Sequence, residues 1–333
     1  MLRRGQVKLF RHNSAALRDN ALGDPFERDL YCYLPAGYET DGKSYPVIYF
    51  LSGYTGFGRL LLNADAFAES MDQRLDRLIA SGAMPPSIVV MPDCFTKLGG
   101  SQYLNSSAVG KYETYIIDEL VQFVDEQLRT LRSRDHRAVT GKSSGGYGAM
   151  RLAMRHPDVF GAFGSHSGDC YWEYCFLADF PKLVMQLEKH GGVAGFLAAF
   201  EALPKKPHDT TIILMMLAMA ACYSPNPASP YGFDLPVDEA TGEIRADVWA
   251  RWLENDPIRM APQHADALRS MKAIFLDAGL RDEWNLQLGA RMMCKRFDAI
   301  GVPYIHEEYD DGHMGVVYRY DRSLTILANA IAV

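Results

Sequence analysis

The ten residues GKSSGGYGAM (141–150) constrain this chain more than any other stretch. A short segment ending in a Val-Thr pair, HRAVT (136–140), stands immediately before them and suits a buried strand. After them AMRLAMRHP has apolar residues at helical spacing and closes at Pro157. The stretch is therefore a strand-to-helix turn rather than a linker. A phosphate-binding loop needs G-x-x-x-x-G-K-[ST], and here the lysine follows the first glycine, so that spacing fails. The pattern that fits is G-x-S-x-G, a tight turn that lifts a serine hydroxyl clear of the chain. It also chooses between two adjacent serines. Ser143 has glycine two residues away on both sides, at Gly141 and Gly145, whereas the same frame on Ser144 requires glycine where Lys142 stands.

With 333 residues, the chain has room for one large α/β domain with an insertion, or for two smaller domains. A hydrophobic content of 48% is ample for a core. The net charge of −7 and the absence of a basic block give nucleic-acid binding little support. The start, MLRRGQVKLFRHNS (1–14), is basic but has no apolar segment behind it of the kind a secretory signal carries. The longest apolar run, IILMMLAMAACY (212–223), is too short to span a bilayer. The cysteines at 32, 94, 170, 175, 222 and 294 form no C-x-x-C pair. They read as reduced core residues of a cytoplasmic protein.

Strand-like runs occur at 28–35, 46–53, 87–93, 136–140, 159–168, 271–279 and 302–313, with helical periodicity at 63–79, 112–131, 149–157 and 284–300. Such alternation implies a doubly wound, mostly parallel sheet, whose sites form at the carboxyl ends of its strands. Residues 171–262 break the alternation. They are rich in Leu, Met, Ala and aromatics and contain the Pro-rich loop SPNPASPYG (224–232). They are expected to form a helical cap inserted between a first core part, 1–170, and a last core part, 263–333.

A serine hydroxyl needs a base, and the base needs an orienting acid. In strand-turn-helix hydrolases the order is Ser, Asp or Glu, His. Of the histidines, only His313, in DDGHMG after the last strand, falls at a core strand tip near the carboxyl terminus. In DAGLRDEW (277–284), Asp277 belongs to the strand itself and Asp282 lies beyond the glycine turn, with Glu283 as reserve acid. An oxyanion site needs two backbone N–H groups. Ser144, at the start of its helix, supplies one, and Tyr54, in LSGYTG after an earlier strand, supplies the other.

The chain resembles the esterase family of α/β-hydrolases that includes esterase D, enterochelin esterases, feruloyl esterases and the mycolyltransferases. The resemblance rests on DPFERDLYCYLPAGYE, YFLSGYTG, NSSAVGKYETYIIDEL, GKSSGGYGAMRLAMRHPDVFGAFGSHSG, GLRDEWN and DDGHMG. It implies an α/β-hydrolase fold, a triad of Ser143, Asp282 and His313, and oxyanion donors at the Tyr54 and Ser144 N–H groups. Lys142 and Ser144 depart from the histidine and methionine usual beside the nucleophile in esterase D relatives. The long insertion is foreign to the compact members.

The expected function is hydrolysis of carboxylic esters through an acyl-enzyme, with a small-molecule ester as partner and no metal or organic cofactor. Thioester hydrolysis, acyl transfer and an inactive binding module are the alternatives, and homo-oligomerisation stays open. Segment 211–223 has no polar stripe and is expected to be buried between cap and core. Its Met216 and Met219 either fill the core or line the pocket. Tyr171 and Trp172 are the other candidate pocket residues.

Overall fold

Eight strands form one sheet: β1 (Gln6–Asn13), β2 (Glu27–Leu34), β3 (Val47–Leu51), β4 (Ile88–Pro92), β5 (Arg137–Lys142), β6 (Ala162–His166), β7 (Ala273–Gly279) and β8 (Ile305–Tyr309). The computed structural model describes residues 4–332, so the first three residues of the basic amino-terminal stretch lie outside it. In space the strands run β1-β2-β4-β3-β5-β6-β7-β8. β3 to β8 are parallel to their neighbours among themselves, while β2 is antiparallel to both β1 and β4. This is an α/β-hydrolase sheet.

Alternation along the strands divides the core in two. Ile48, Phe50, Val89, Met91, Ala138 and Ala162 face the helices Met71–Ala80 and Tyr320–Ile331. Val47, Tyr49, Leu51, Val90, Val139 and Phe163 face the elbow helix Ser144–Arg155 and the larger cluster beyond it. β1 is mostly exposed and closes one edge, so it has no buried face for a sequence pattern to reveal.

Two helices differ from their sequence expectation for local reasons. The helix expected over 63–79 begins at Met71, where Ser70 and Gln73 form a reciprocal capping box. The helix expected over 112–131 is π-wound at Tyr115–Leu120, α-helical at Val121–Gln127, and stops there. Beyond it the Arg129 carbonyl accepts from the Tyr45 N–H, and the Leu131 N–H donates to the Tyr45 carbonyl. Pairing with residue 45 replaces another helical turn.

Between β6 and β7 the chain runs through helices from Trp172 to Arg269. Asp256 is buried and fastens the start of this segment to its end. Its carboxylate accepts from the Tyr171 N–H at 3.1 Å, the Trp172 N–H at 3.3 Å and the Ile258 N–H at 3.1 Å. The helices Pro257–Met260 and Ala265–Arg269 already pack on the elbow helix.

One buried charge cluster locks the elbow helix to the helix before β5. Glu113 accepts from Arg155 Nε at 2.8 Å, pairs with His156 Nε2 at 2.7 Å, and also holds the Arg151 guanidinium. Burial alone would raise the Glu113 pKa. The His156 hydrogen bond and the two guanidiniums outweigh it and hold the carboxyl well below the usual range. Glu113→Ala strands the buried Arg151 cation, and the expected cost is about 3–5 kcal/mol of unfolding free energy. Urea denaturation checks this, and a loss below about 1 kcal/mol contradicts the assignment.

Candidate active site

Ser143 sits between β5 and its helix with φ 58° and ψ −126°, a positive-φ backbone that a non-glycine residue adopts only under constraint. The constraint is close packing against β3. A Cβ on Gly141 would lie 2.4 Å from the Leu51 carbonyl oxygen, and one on Gly145 would lie 2.1 Å from it. Neither position admits a side chain, which is why glycines flank the serine on both sides. The Ser143 N–H donates to the His166 carbonyl at 2.8 Å, and the Ser143 carbonyl accepts from the Tyr147 N–H at 2.9 Å. The elbow is thus held by β6 on one side and by its own helix on the other.

The neighbouring Ser144 is differently placed. Its side chain is buried and its hydroxyl is spent. Oγ accepts from Gln102 Nε2 at 2.8 Å and donates to Asp169 Oδ2 at 3.3 Å. Tyr223 continues this chain by donating to Gln102 Oε1 at 3.2 Å. The Ser144 backbone N–H belongs to the first helical turn, where an N–H has no intrahelical acceptor.

The loop after β3 brings Tyr54 alongside. A Cβ on Gly53 would lie 3.4 Å from the Lys142 carbonyl oxygen and 3.5 Å from Ser143 Cβ, so the loop backbone runs directly against the elbow. Tyr54 is anchored by its hydroxyl, which donates to the Leu98 carbonyl at 2.5 Å. Its backbone N–H enters no hydrogen bond among the described residues.

His313 lies in the turn after β8 and Asp282 in the turn after β7. His313 Nδ1 and Asp282 Oδ2 are 2.8 Å apart, and the carboxylate side chain has no exposed surface. The other oxygen, Oδ1, accepts from the Trp284 N–H at 3.0 Å. Glu283 takes a different part: its Oε2 accepts from the His313 backbone N–H at 2.8 Å. The Trp284 ring stands edge-on to the imidazole, with centroids 4.8 Å apart. Two carboxylates and a ring thus fix the histidine's backbone, its Nδ1 and its face. Asp277 instead pairs with His166, at 2.7 Å, inside the sheet. Asp310 pairs with Arg281, and Asp311 bonds the Gly312 N–H, as turn residues do.

Ser143, Ser144, Tyr54 and His313 line one cavity of 350 Å³. Among the described residues the Ser143 hydroxyl makes no hydrogen bond to the imidazole, a link that is often open in a site without substrate. The four candidate pocket residues do not line it, and for Met216 and Met219 the core reading holds. Trp172 is buried against Tyr223, with centroids 4.2 Å apart, and against Phe176 and Trp252. Tyr171 meets the Tyr174 ring edge-on, with centroids 4.7 Å apart. Met216 and Met219 have no exposed surface and point into the core. In the helix His208–Tyr223, the face turned to the cavity carries Thr211, Ile212 and Met215, joined by Cys175 and Phe176. An all-apolar helix gives no stripe from which that face could be read.

Asp169 and Gln102 are the residues sequence reasoning missed. Asp169 lines the cavity as the second residue past Ser167, beyond the tip of β6, a position that could have drawn attention. Gln102 sits in a loop with no local signal. Burial raises the Asp169 pKa to about 7, and the nearby Asp282 adds to the shift, while the Ser144 hydroxyl and Lys142 oppose it. The raised value has a consequence for stability. A neutral Asp169 carboxyl contributes fully below its ordinary pKa near 4, and the contribution is lost as pH rises through about 7. A shift of this size corresponds to roughly 4 kcal/mol. Asp169→Asn is therefore expected to flatten the fall in melting temperature between pH 5 and pH 9 relative to the unchanged protein. Parallel curves for the two proteins contradict a neutral Asp169.

Comparisons with known proteins agree with this architecture. A family model described as "Putative esterase" matches residues 25–319. An esterase of Mycobacterium tuberculosis (strain H37Rv) is 36% identical over 141 residues, which is 40% of this chain and 28% of that protein. An endo-1,4-beta-xylanase/feruloyl esterase of Xylanibacter ruminicola is 32% identical over 143 residues, 42% of this chain and 19% of that protein. The match therefore spans less than a third of either relative. Among solved structures, a ferulic acid esterase superposes with a TM-score of 0.66 at 21% identity, covering 99% of both chains. An S-formylglutathione hydrolase from Agrobacterium tumefaciens superposes with a TM-score of 0.61 at 17% identity, covering 100% of this chain and 98% of that one. At these identities the structural likeness is one of fold.

Proposed function

This chain belongs to that esterase family, and from this premise we propose that it is a serine hydrolase of carboxylic esters. Ser143 attacks the ester carbonyl while His313 removes its proton. Asp282, bonded to Nδ1, leaves Nε2 as the basic nitrogen and stabilises the imidazolium as it forms. The Tyr54 and Ser144 N–H groups receive the oxyanion of the tetrahedral intermediate. His313 then returns its proton to the leaving alcohol, and water releases the acyl group by the same route in reverse.

The observation that supports this reading most strongly is one convergence. A serine in strained backbone, a histidine tied at 2.8 Å to a buried carboxylate, and two amides with no hydrogen bond of their own among the described residues meet at one cavity. The engaged Ser144 hydroxyl favours Ser143 as nucleophile. The Glu283 bond to the His313 backbone favours Asp282 as acid. We also propose that the helices between β6 and β7 act as a cap. They supply Cys175, Phe176, Thr211, Ile212 and Met215 to the cavity wall, which suits an apolar acyl or aryl group.

Purified protein with p-nitrophenyl acetate tests the reaction class. Release of nitrophenol that rises linearly with enzyme and disappears in Ser143→Ala is the expected result. Release that persists in Ser143→Ala overturns the reading.

A further inference from the structure

We propose that Lys142 is a specificity residue that selects esters whose leaving group carries a carboxylate. The inference rests on the serine-hydrolase reading above and names the substrate class of that site.

Lys142 ends β5, directly before Ser143, and lines the cavity. No other lysine or arginine is among the cavity's lining residues. Its polar contact is unusual for an ammonium group: Nζ meets the Met314 sulfur at 3.8 Å. A thioether is a weak acceptor and cannot balance a charge. Lys142 forms no ion pair among the described residues, although carboxylates stand close by. Those carboxylates are committed elsewhere. Asp282 serves the His313 ring and the Trp284 N–H, and Glu283 serves the His313 backbone. Asp169 accepts from the Ser144 hydroxyl at 3.3 Å and makes no ion pair with Lys142 among the described residues, and burial raises its pKa to about 7. The fold thus places a partly desolvated cation, with donors to spare, in a mostly apolar cavity. Desolvation of this kind lowers the Lys142 pKa and strengthens its attraction for an arriving anion.

The position of Met314 says which half of the ester carries that anion. Met314 directly follows His313, and His313 hands its proton to the leaving oxygen. The leaving group therefore lies on the side where the Lys142 ammonium meets Met314. The acyl group lies toward the oxyanion amides and the apolar wall. A carboxylate on the leaving alcohol could meet the ammonium without burying a second unpaired charge.

The test uses matched leaving groups: 3- and 4-acetoxybenzoate, each against its uncharged amide, 3- or 4-acetoxybenzamide. The quantity read is the ratio of kcat/KM for the carboxylate to kcat/KM for the amide, so intrinsic reactivity cancels between variants. For at least one isomer the ratio is expected to fall about tenfold in Lys142→Gln, the scale of one charge-assisted hydrogen bond. Lys142→Arg is expected to keep most of it. In the unchanged protein the same ratio should fall as salt rises from 10 to 500 mM. Ratios in Lys142→Gln that stay within twofold for both isomers, or a ratio indifferent to salt, overturn the proposal. Cleavage of the acetoxybenzamide esters that survives Ser143→Ala overturns the hydrolase reading itself, and the proposal with it. Cleavage of the acetoxybenzamide esters that depends on Ser143, with unchanged ratios, removes only the role of Lys142.

Discussion

Asp282→Asn is expected to lower kcat by roughly 10⁴-fold with little change in folding stability, the scale seen when the orienting carboxylate of a triad is replaced. The reason is tautomeric. A carboxylate at Nδ1 obliges that nitrogen to carry the proton and leaves Nε2 free to act as base. An amide can donate to Nδ1 instead, which moves the proton to the nitrogen facing the serine. Asp282 reaches Nδ1 at 2.8 Å with no exposed side-chain surface, so no water can substitute. Glu283→Gln keeps an oxygen for the His313 N–H and is expected to stay within about tenfold. Steady-state kinetics on a p-nitrophenyl ester decides between them, and a larger loss in Glu283→Gln exchanges the two roles.

The second large effect separates the paired serines. Ser143→Ala is expected to lose roughly 10⁶-fold in kcat, since removing the nucleophile disables the unit as a whole. Ser144→Ala should keep activity within about tenfold, because the contribution proposed for it is a backbone N–H that alanine also has. The cost that remains is the Gln102 to Asp169 link, which the hydroxyl completes. Equal losses in the two variants contradict the division of labour.

Much of this was legible in the residues because the site consists of chain turns. Gly141 and Gly145 are dictated by the approach to the Leu51 carbonyl, so the elbow shows directly in the sequence. Asp282 and His313 follow the last two strands at turns marked by glycine, and the order of motifs carries their geometry. What escaped was set by contacts distant in sequence. Met215 rather than Met216 or Met219 meets the cavity because a helix buried on every side is oriented by its neighbours and not by its own pattern. Gln102 matters through Ser144 and Tyr223, 42 and 121 residues away. β1 stayed hidden because an exposed edge strand has no apolar face to alternate.

Every step proposed for this cavity depends on Ser143 as its nucleophile. The most direct measurement is peptide mapping by mass spectrometry after reaction with a fluorophosphonate, which captures an activated serine as a covalent adduct. One adduct per chain is expected, on Ser143, absent from Ser143→Ala and slowed strongly in Asp282→Asn. An adduct on Ser144, or none on a folded protein, contradicts it.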